Sequence, residues 1–171
     1  HRPYNMRTCG RSPFSKIAGL KSLKKIVKRL RSKGRKIIFT NGCFDLLHAG
    51  HIKYLSAAKK MGDVLILGLN SDSSVRKIKG PKRPLVCQKD RLTVMAGIES
   101  IDYVILFNQS TPLELIKALK PDILVKGSDW KTGSIVGADF VKKHGGRVAT
   151  VTLAKGRSTT NLINKIVKTY G

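Results

Sequence analysis

The sequence predicts an α/β domain in which a doubly wound sheet of five parallel strands carries helices on both faces. Three observations lead there. Short apolar runs and stretches of helical periodicity alternate five times along the chain, which is the pattern of a wound parallel sheet. The runs are continuously apolar rather than alternating with polar residues, as strands are when both their faces are covered. The length, 171 residues with 41% hydrophobic side chains, suits one domain with a proper core.

Residues 1–19 read as an irregular N-terminal segment, punctuated by Pro3, Gly10, Pro13 and Gly19. The domain proper occupies 20–171. Its first helix, 20–33, places Leu20, Leu23, Ile26, Val27 and Leu30 on one face and cations on the other. A strand over 36–41 follows, then a helix over 49–61 that opens on two histidines. The strand over 63–70 is the longest apolar run, closed at both ends by the polar Asp63 and Asn70. Helices over 72–78 and 88–99 come next, then a strand over 102–107 containing Tyr103-Val104-Ile105-Leu106. A helix over 112–120 leads to a strand over 122–126, and a helix over 137–144 to a strand over 147–153. The last helix covers 159–168. No internal repeat or low-complexity linker marks a second domain. The arrangement is Rossmann-like, and in such sheets ligands bind beyond the carboxyl ends of the strands, near the topological switch. The residues that follow each strand are therefore the place to look for function.

Charge and cysteine content narrow the function classes. Lys and Arg number 34 against 10 Asp and Glu, a formal charge of +24. Clustered cations suggest a nucleic-acid backbone as partner, but the distribution argues otherwise. The densest run, 21–36, forms the solvent face of the first helix, and none of the aromatic residues (6% of the chain) interleaves with it to stack on bases. No zinc-finger or RNP-type pattern occurs. The expectation is a cationic surface that attracts small anions, with no specific nucleic-acid partner. No apolar run approaches the roughly 20 residues of a membrane-spanning helix, so no membrane partner is expected. Residues 1–36 hold no apolar stretch of the kind a secretory signal needs. Cys9, Cys43 and Cys87 are odd in number and widely spaced, which suits neither a disulfide framework nor a zinc site and points to a reducing cytoplasm.

After the first strand comes Thr40-Asn41-Gly42-Cys43-Phe44-Asp45-Leu46-Leu47-His48-Ala49-Gly50-His51. Gly42 and Gly50 let the backbone approach a ligand closely. His48 and His51, three apart at the opening turn of a helix, share a face where unpaired N–H groups and the helix dipole favour phosphate. On spacing alone three readings stand: phosphate handling, satisfied capping or core histidines, and a metal pair.

The run from Gly42 to His51 resembles the GxFDxxHxGH signature of the cytidylyltransferase-like nucleotidyltransferases, and the resemblance spans about 35–168. Further stations agree in order. Arg91 stands in the helix over 88–99, ahead of Ile101-Asp102-Tyr103-Val104. Gly127-Ser128-Asp129-Trp130 matches a G-x-D-[WY] element, and Ser158-Thr159-Thr160 matches an STT turn. Within that superfamily the chain is most similar to the adenylyltransferase domain of bacterial ADP-heptose synthesis. The supporting residues are Phe39-Thr40-Asn41-Gly42, Leu69-Asn70-Ser71-Asp72, Lys79-Gly80, Arg83-Pro84, Leu124-Val125-Lys126-Gly127 and Ser158-Thr159-Thr160-Asn161. The likeness implies transfer of AMP from ATP to D-glycero-β-D-manno-heptose 1-phosphate, with release of pyrophosphate, for ADP-heptose and lipopolysaccharide synthesis. Only about 35 residues precede the first strand, so the sugar-kinase domain usually fused to this one is expected to be absent. Glycerol-3-phosphate cytidylyltransferases carry Arg-Thr-Glu-Gly-Ile before their Ser-Thr-Thr, whereas this chain has Leu153-Ala154-Lys155-Gly156-Arg157, which favours ATP over CTP. A cytidylyltransferase acting on glycerol 3-phosphate or a similar small phosphate is the nearest alternative, and a basic nucleic-acid-binding module the more distant one.

The resemblance also implies roles. His48 and His51 contact the nucleotide phosphates and stabilise the transition state. Lys79, in a Gly-rich loop, closes over the phosphates as a point charge, or is simply a solvated lysine. Asn41, Gly42, Cys43, Phe44, Arg91, Gly127, Asp129, Trp130, Ser158, Thr159 and Thr160 are the expected nucleotide-binding residues. For Arg91 the alternative is an ion pair with Asp90 or Asp102. Ser158 and Thr159 can cap a helix and bind an anion at once. Trp130 flanks the base or packs. Asp45 contacts the acceptor sugar or caps a helix. Cys43 has no base beside it, so a small residue with its backbone toward the nucleotide is expected rather than a nucleophile. Mg²⁺ is expected to arrive with the triphosphate, because no carboxylate cluster announces a protein cage. Members of the superfamily commonly pair, which brings in a homodimer as partner.

Overall fold

The computed structural model describes residues 12–128, 135–152 and 158–171. The strands are β1 (Ile37–Gly42), β2 (Val64–Asn70), β3 (Tyr103–Phe107), β4 (Ile123–Gly127) and β5 (Arg147–Val151). The helices are α1 (Leu20–Arg31), α2 (Ala49–Lys59), α3 (Asp72–Lys79), α4 (Gln88–Gly97), α5 (Leu113–Leu119), α6 (Ala138–Lys143) and α7 (Thr159–Tyr170). Each predicted element is present, with its ends moved by no more than two residues.

The shift at the strand starts has a chemical cause. Asp63, Asp102 and Asp122 stand one residue before β2, β3 and β4, and each uses its carboxylate to accept a backbone N–H from the neighbouring strand or the residue just before it. Asp63 accepts from Lys36 at 2.8 Å, Asp102 from Leu65 at 2.7 Å and Asp122 from Ile37 at 2.7 Å. These bonds satisfy donors at the amino end of the sheet that no ladder reaches.

The sheet order is β3-β2-β1-β4-β5, and every pairing is parallel. The chain winds outward from β1 to β3, then returns past β1 to lay down β4 and β5, so the switch lies between β1 and β4. The β1–β4 ladder pairs only Ile38 with Ile123 and Phe39 with Leu124, although the strands run on to Gly42 and Gly127. A crevice therefore opens at their carboxyl ends. Tyr54 of α2 spans its floor: its hydroxyl lies 2.7 Å from Thr40 Oγ1 and donates to the Val125 carbonyl at 3.2 Å.

Successive strand residues feed two separate cores. Ile37, Phe39, Ile66, Ile105 and Leu124 pack with α1, α5 and α6, through side chains such as Leu23, Ile116 and Val141. Ile38, Leu65, Leu67, Val104 and Val125 pack with α2 and α4, through Leu55, Ala58 and Met95. Both faces need apolar residues, which is why the strands read as unbroken apolar runs. Residues 12–19 lie along the sheet margin. After a 3₁₀ turn at Pro13–Lys16, Ile17 bridges Val104 in parallel and the Ala18 N–H bonds the Val104 carbonyl at 3.0 Å. That contact covers part of the otherwise free edge of β3.

Candidate active site

A cavity of about 510 Å³ lies over the β1–β4 crevice. From β1 and the loop after it come Asn41, Gly42, Cys43, Phe44 and Asp45; from the start of α2, His48, Gly50 and His51. Lys79 stands at the end of α3, Arg83 in the segment that follows, Lys126 and Gly127 on β4, and Ser158, Thr159 and Thr160 at the start of α7. The structure thus brings together the sequence-predicted site residues except Arg91, Asp129 and Trp130. The last two lie outside the described residues, as do Gly156 and Arg157.

The loop after β1 is shaped by a glycine and a strained aromatic. Phe44 takes a left-handed conformation at φ 45, and its ring folds back so that a Cβ on Gly42 would meet it at 2.7 Å. A larger residue there would push the Phe44 ring out of place. The chain then reaches α2 with His48 in the N-cap position, in extended conformation. The His48 N–H donates to His51 Nδ1 at 3.3 Å, and the two imidazoles stack with centroids 4.0 Å apart. Accepting at Nδ1 places the His51 proton on Nε2, which makes that edge the donor. His48 Nδ1 is buried and has no hydrogen-bond partner among the described residues.

Burial, reinforced by repulsion from His48, pushes the His51 pKa from 6.5 down to about 4. At neutral pH His51 is therefore an uncharged N–H donor. The unfolded chain binds the proton near 6.5 while the folded one refuses it until about 4, so the histidine lowers stability as pH falls through that window and costs nothing above it. A bound phosphate favours the imidazolium and moves the titration upward. Proton NMR of the His51 ring should give a midpoint near 4 without ligand and a higher one with ATP. A free-protein midpoint at the ordinary 6.5 would contradict the buried, His48-facing placement.

Three sequence expectations are corrected. Arg91 does not reach the cavity. It is 1% exposed and its guanidinium is fully engaged inside the protein. Nε donates to the Val86 carbonyl at 2.9 Å, Nη1 to the Cys43 and Asn70 carbonyls at 2.6 and 2.8 Å, and Nη2 to Asp72 at 2.8 Å. Its ion-pair partner is Asp72, neither Asp90 nor Asp102; Asp102 instead pairs with Lys59 at 2.5 Å. Asp45 neither caps α2 nor offers a free oxygen to a sugar. Its buried carboxylate accepts from Arg83 Nε at 2.7 Å and from the Leu85 and Val86 N–H groups at 2.9 and 2.8 Å. Burial works to raise its pKa, but the two backbone donors and the guanidinium together hold it below the usual carboxylate range. Lys79 is not in a loop. Helix α3 runs one residue further than predicted, and Gly80 at φ 92 ends it, so Lys79 is the last helical residue, at the cavity edge.

The remaining residues fit their expected surroundings. Burial raises the Cys43 thiol pKa, with Lys79 and the nearby arginines only partly opposing it, so the sulfur stays protonated and is a poor nucleophile. Ser158 accepts the Asn161 N–H at 3.0 Å as an N-cap, and Thr159 donates to the Leu46 carbonyl at 3.1 Å, tying α7 to the loop after β1. Sequence reasoning gave Lys126, Arg83 and Tyr54 no site role, although Arg83 and Lys126 stand among the residues that carry the resemblance. Lys126, which donates to Asn41 Oδ1 at 2.5 Å, is also a cation in the otherwise apolar strand Ile123–Gly127. Among the described residues, no three His, Cys, Asp or Glu side chains gather as a metal site. Asp45, the carboxylate lining the cavity, is already committed to its donors.

A parallel sheet whose switch point presents stacked histidines, two helix N-termini and several cations defines an α/β protein with a site built to favour anions such as phosphate. Residues 39–164 match the cytidylyltransferase-like family. The chain belongs to that family. It is 56% identical over 160 residues to the bifunctional protein HldE of Trichlorobacter lovleyi, covering 94% of this chain and 33% of that one. Against the HldE of Geobacter metallireducens it is 54% identical over 157 residues, covering 92% and 32%. The chain thus spans about a third of the length of the curated relatives it matches. Among solved structures it is similar to a lipopolysaccharide core biosynthesis protein from Thermoplasma volcanium, with 31% identity and a TM-score of 0.60 over 72% of this chain and 100% of that one. A pantoate-β-alanine ligase from Francisella tularensis, at 16% identity and a TM-score of 0.57 over 89% of this chain and 78% of that one, shares the fold.

Proposed function

We propose that this chain is a nucleotidyltransferase that moves AMP from ATP to D-glycero-β-D-manno-heptose 1-phosphate and releases pyrophosphate. The observation that carries the reading is the cavity itself: His48, His51, Lys79, Lys126 and the start of α7 converge there, and the carboxylate lining it is locked to its own donors. Such a site suits polyphosphate and a second anion rather than a neutral substrate. The heptose assignment rests on the motif resemblance. The likeness to the Thermoplasma volcanium lipopolysaccharide core biosynthesis protein supports a place in cell-surface glycan synthesis.

A sugar-phosphate oxygen attacks the α-phosphorus in line, the bond to the bridging oxygen breaks, and the electron pair leaves with pyrophosphate. The acceptor oxygen is already ionised, so no general base is required. Catalysis then consists of positioning and of stabilising charge on the α-phosphoryl and leaving-group oxygens. His51 supplies an uncharged Nε2–H donor, His48 stands beside it, and the α2 and α7 starts add backbone N–H groups. Mg²⁺ belongs to the substrate in this reading, carried on the triphosphate oxygens. A cytoplasmic setting and a pair of identical chains complete the proposal.

The nucleotide choice is the sharpest test. Gly127 lines the cavity at the end of β4, and it and the neighbouring Ser128 are small residues, which favours a purine there in this reading. With heptose 1-phosphate, pyrophosphate release should give a kcat/KM for ATP at least about tenfold above that for CTP. Equal or better use of CTP, or turnover with glycerol 3-phosphate alone, would overturn the adenylyltransferase reading.

A further inference from the structure

We propose that Arg83 is the ligand for the acceptor's phosphate, so that the segment after α3 forms a second anion subsite for a phosphate monoester. The inference rests on the transfer reaction proposed above and adds to it the residue that holds the second substrate.

The reaction brings two anions together, and each needs its own counter-charge. The histidine pair, Lys126 and the α7 start cluster around the β1–β4 crevice and account for the triphosphate. Lys79 and Arg83 enter the cavity from a different stretch of chain, between β2 and α4. Both lie close enough to the Cys43 thiol to bias its charge.

Arg83 is the better ordered of the two. Its side chain is 17% exposed and that of Asp45 is 0% exposed, with Nε and the carboxylate 2.7 Å apart. Asp45 is in turn fixed by the Leu85 and Val86 N–H groups. Only Nε is used in this pair, and the two Nη groups have no hydrogen-bond partner among the described residues. A planar fork held by Nε, on a residue that lines the cavity, suits binding of two phosphate oxygens at once. Lys79, at the end of a helix, offers a point charge on a flexible stem. Asp45 thus acts on the acceptor only through the arginine it orients.

The test compares Arg83→Ala and Arg83→Lys with the wild-type chain, measuring KM for ATP and for heptose 1-phosphate separately, together with thermal midpoints. Titration of the chain saturated with α,β-methylene-ATP by heptose 1-phosphate and by glycerol 3-phosphate gives the binding arm. Arg83→Ala should weaken acceptor binding by roughly ten- to hundredfold while the KM for ATP stays within about twofold. Arg83→Lys should recover little, since one ammonium cannot both hold Asp45 and fork a phosphate. An unchanged acceptor KM in a folded variant overturns the proposal, and so does parallel weakening of ATP and acceptor, which marks a purely structural role. If Arg83→Ala fails to fold, wild-type acceptor affinity in Arg83→Lys overturns it equally. If the wild-type chain ignores heptose 1-phosphate but binds glycerol 3-phosphate through Arg83, the heptose reading falls and the subsite stands.

Discussion

Replacing His48 or His51 by alanine is expected to lower kcat by about 10²–10³-fold, the size of losing one preorganised donor to developing charge. The fold should persist. The His48 side chain makes no capping hydrogen bond, and its N–H remains after the substitution. Loss of the His51 ring removes an acceptor from that N–H and one face of a stacked pair, but leaves the Tyr54–Thr40 contact below it untouched. Because the rings touch, the two losses should not add, and the double variant should be little slower than the worse single one. Steady-state kinetics together with circular dichroism decide the matter. Near-normal turnover in either folded variant would remove the histidines from the reaction.

Arg91→Ala should be among the most destabilising single changes in the chain, about 3–5 kcal/mol, because it strips an ion pair of its buried partner and removes a guanidinium donor from three carbonyls. The guanidinium joins four places that are far apart in sequence: Cys43 in the loop after β1, Asn70 at the end of β2, Asp72 in α3, and Val86 ahead of α4. Activity should fall with stability although Arg91 does not line the cavity. Lysine should not substitute, since a single ammonium cannot reach all of these acceptors. Denaturant unfolding gives the readout. Wild-type stability accompanied by selectively weakened ATP binding would return Arg91 to the nucleotide.

The placement of the histidine pair and of the α7 start was legible in the sequence because their geometry is local, three residues apart at a helix start or one residue before a helix; spacing alone left the histidines' role open. The strands were legible because Ile37 and Ile38, or Leu65 and Ile66, point to different cores that both demand apolar side chains. What escaped depends on long-range partners. Nothing near Arg91 in sequence reveals that the Cys43 carbonyl, 48 positions away, accepts its hydrogen bond. Asp45 likewise has its partners 38 to 41 positions on, so a cap or a sugar contact looked as reasonable as the buried anchor it is. Lys79 looked loop-borne because Gly80 and Pro81 follow it, yet a glycine at positive φ terminates a helix after the preceding residue, which can itself stay helical.

The way α7 is attached separates two kinds of opening. The helix delivers Ser158, Thr159 and Thr160 to the cavity, but none of its residues is buried, and Leu162, Ile166, Val167 and Tyr170 stand exposed. The histidines, Lys126 and Gly127 sit on elements rooted in the two cores. Lifting the helix sacrifices little apolar contact, whereas disturbing the strands forfeits the cores themselves. The half of the cavity that α7 supplies is thus held by far less apolar contact than the half the strands and α2 supply. Release of pyrophosphate and loading of the next nucleotide would then need no breathing of the sheet.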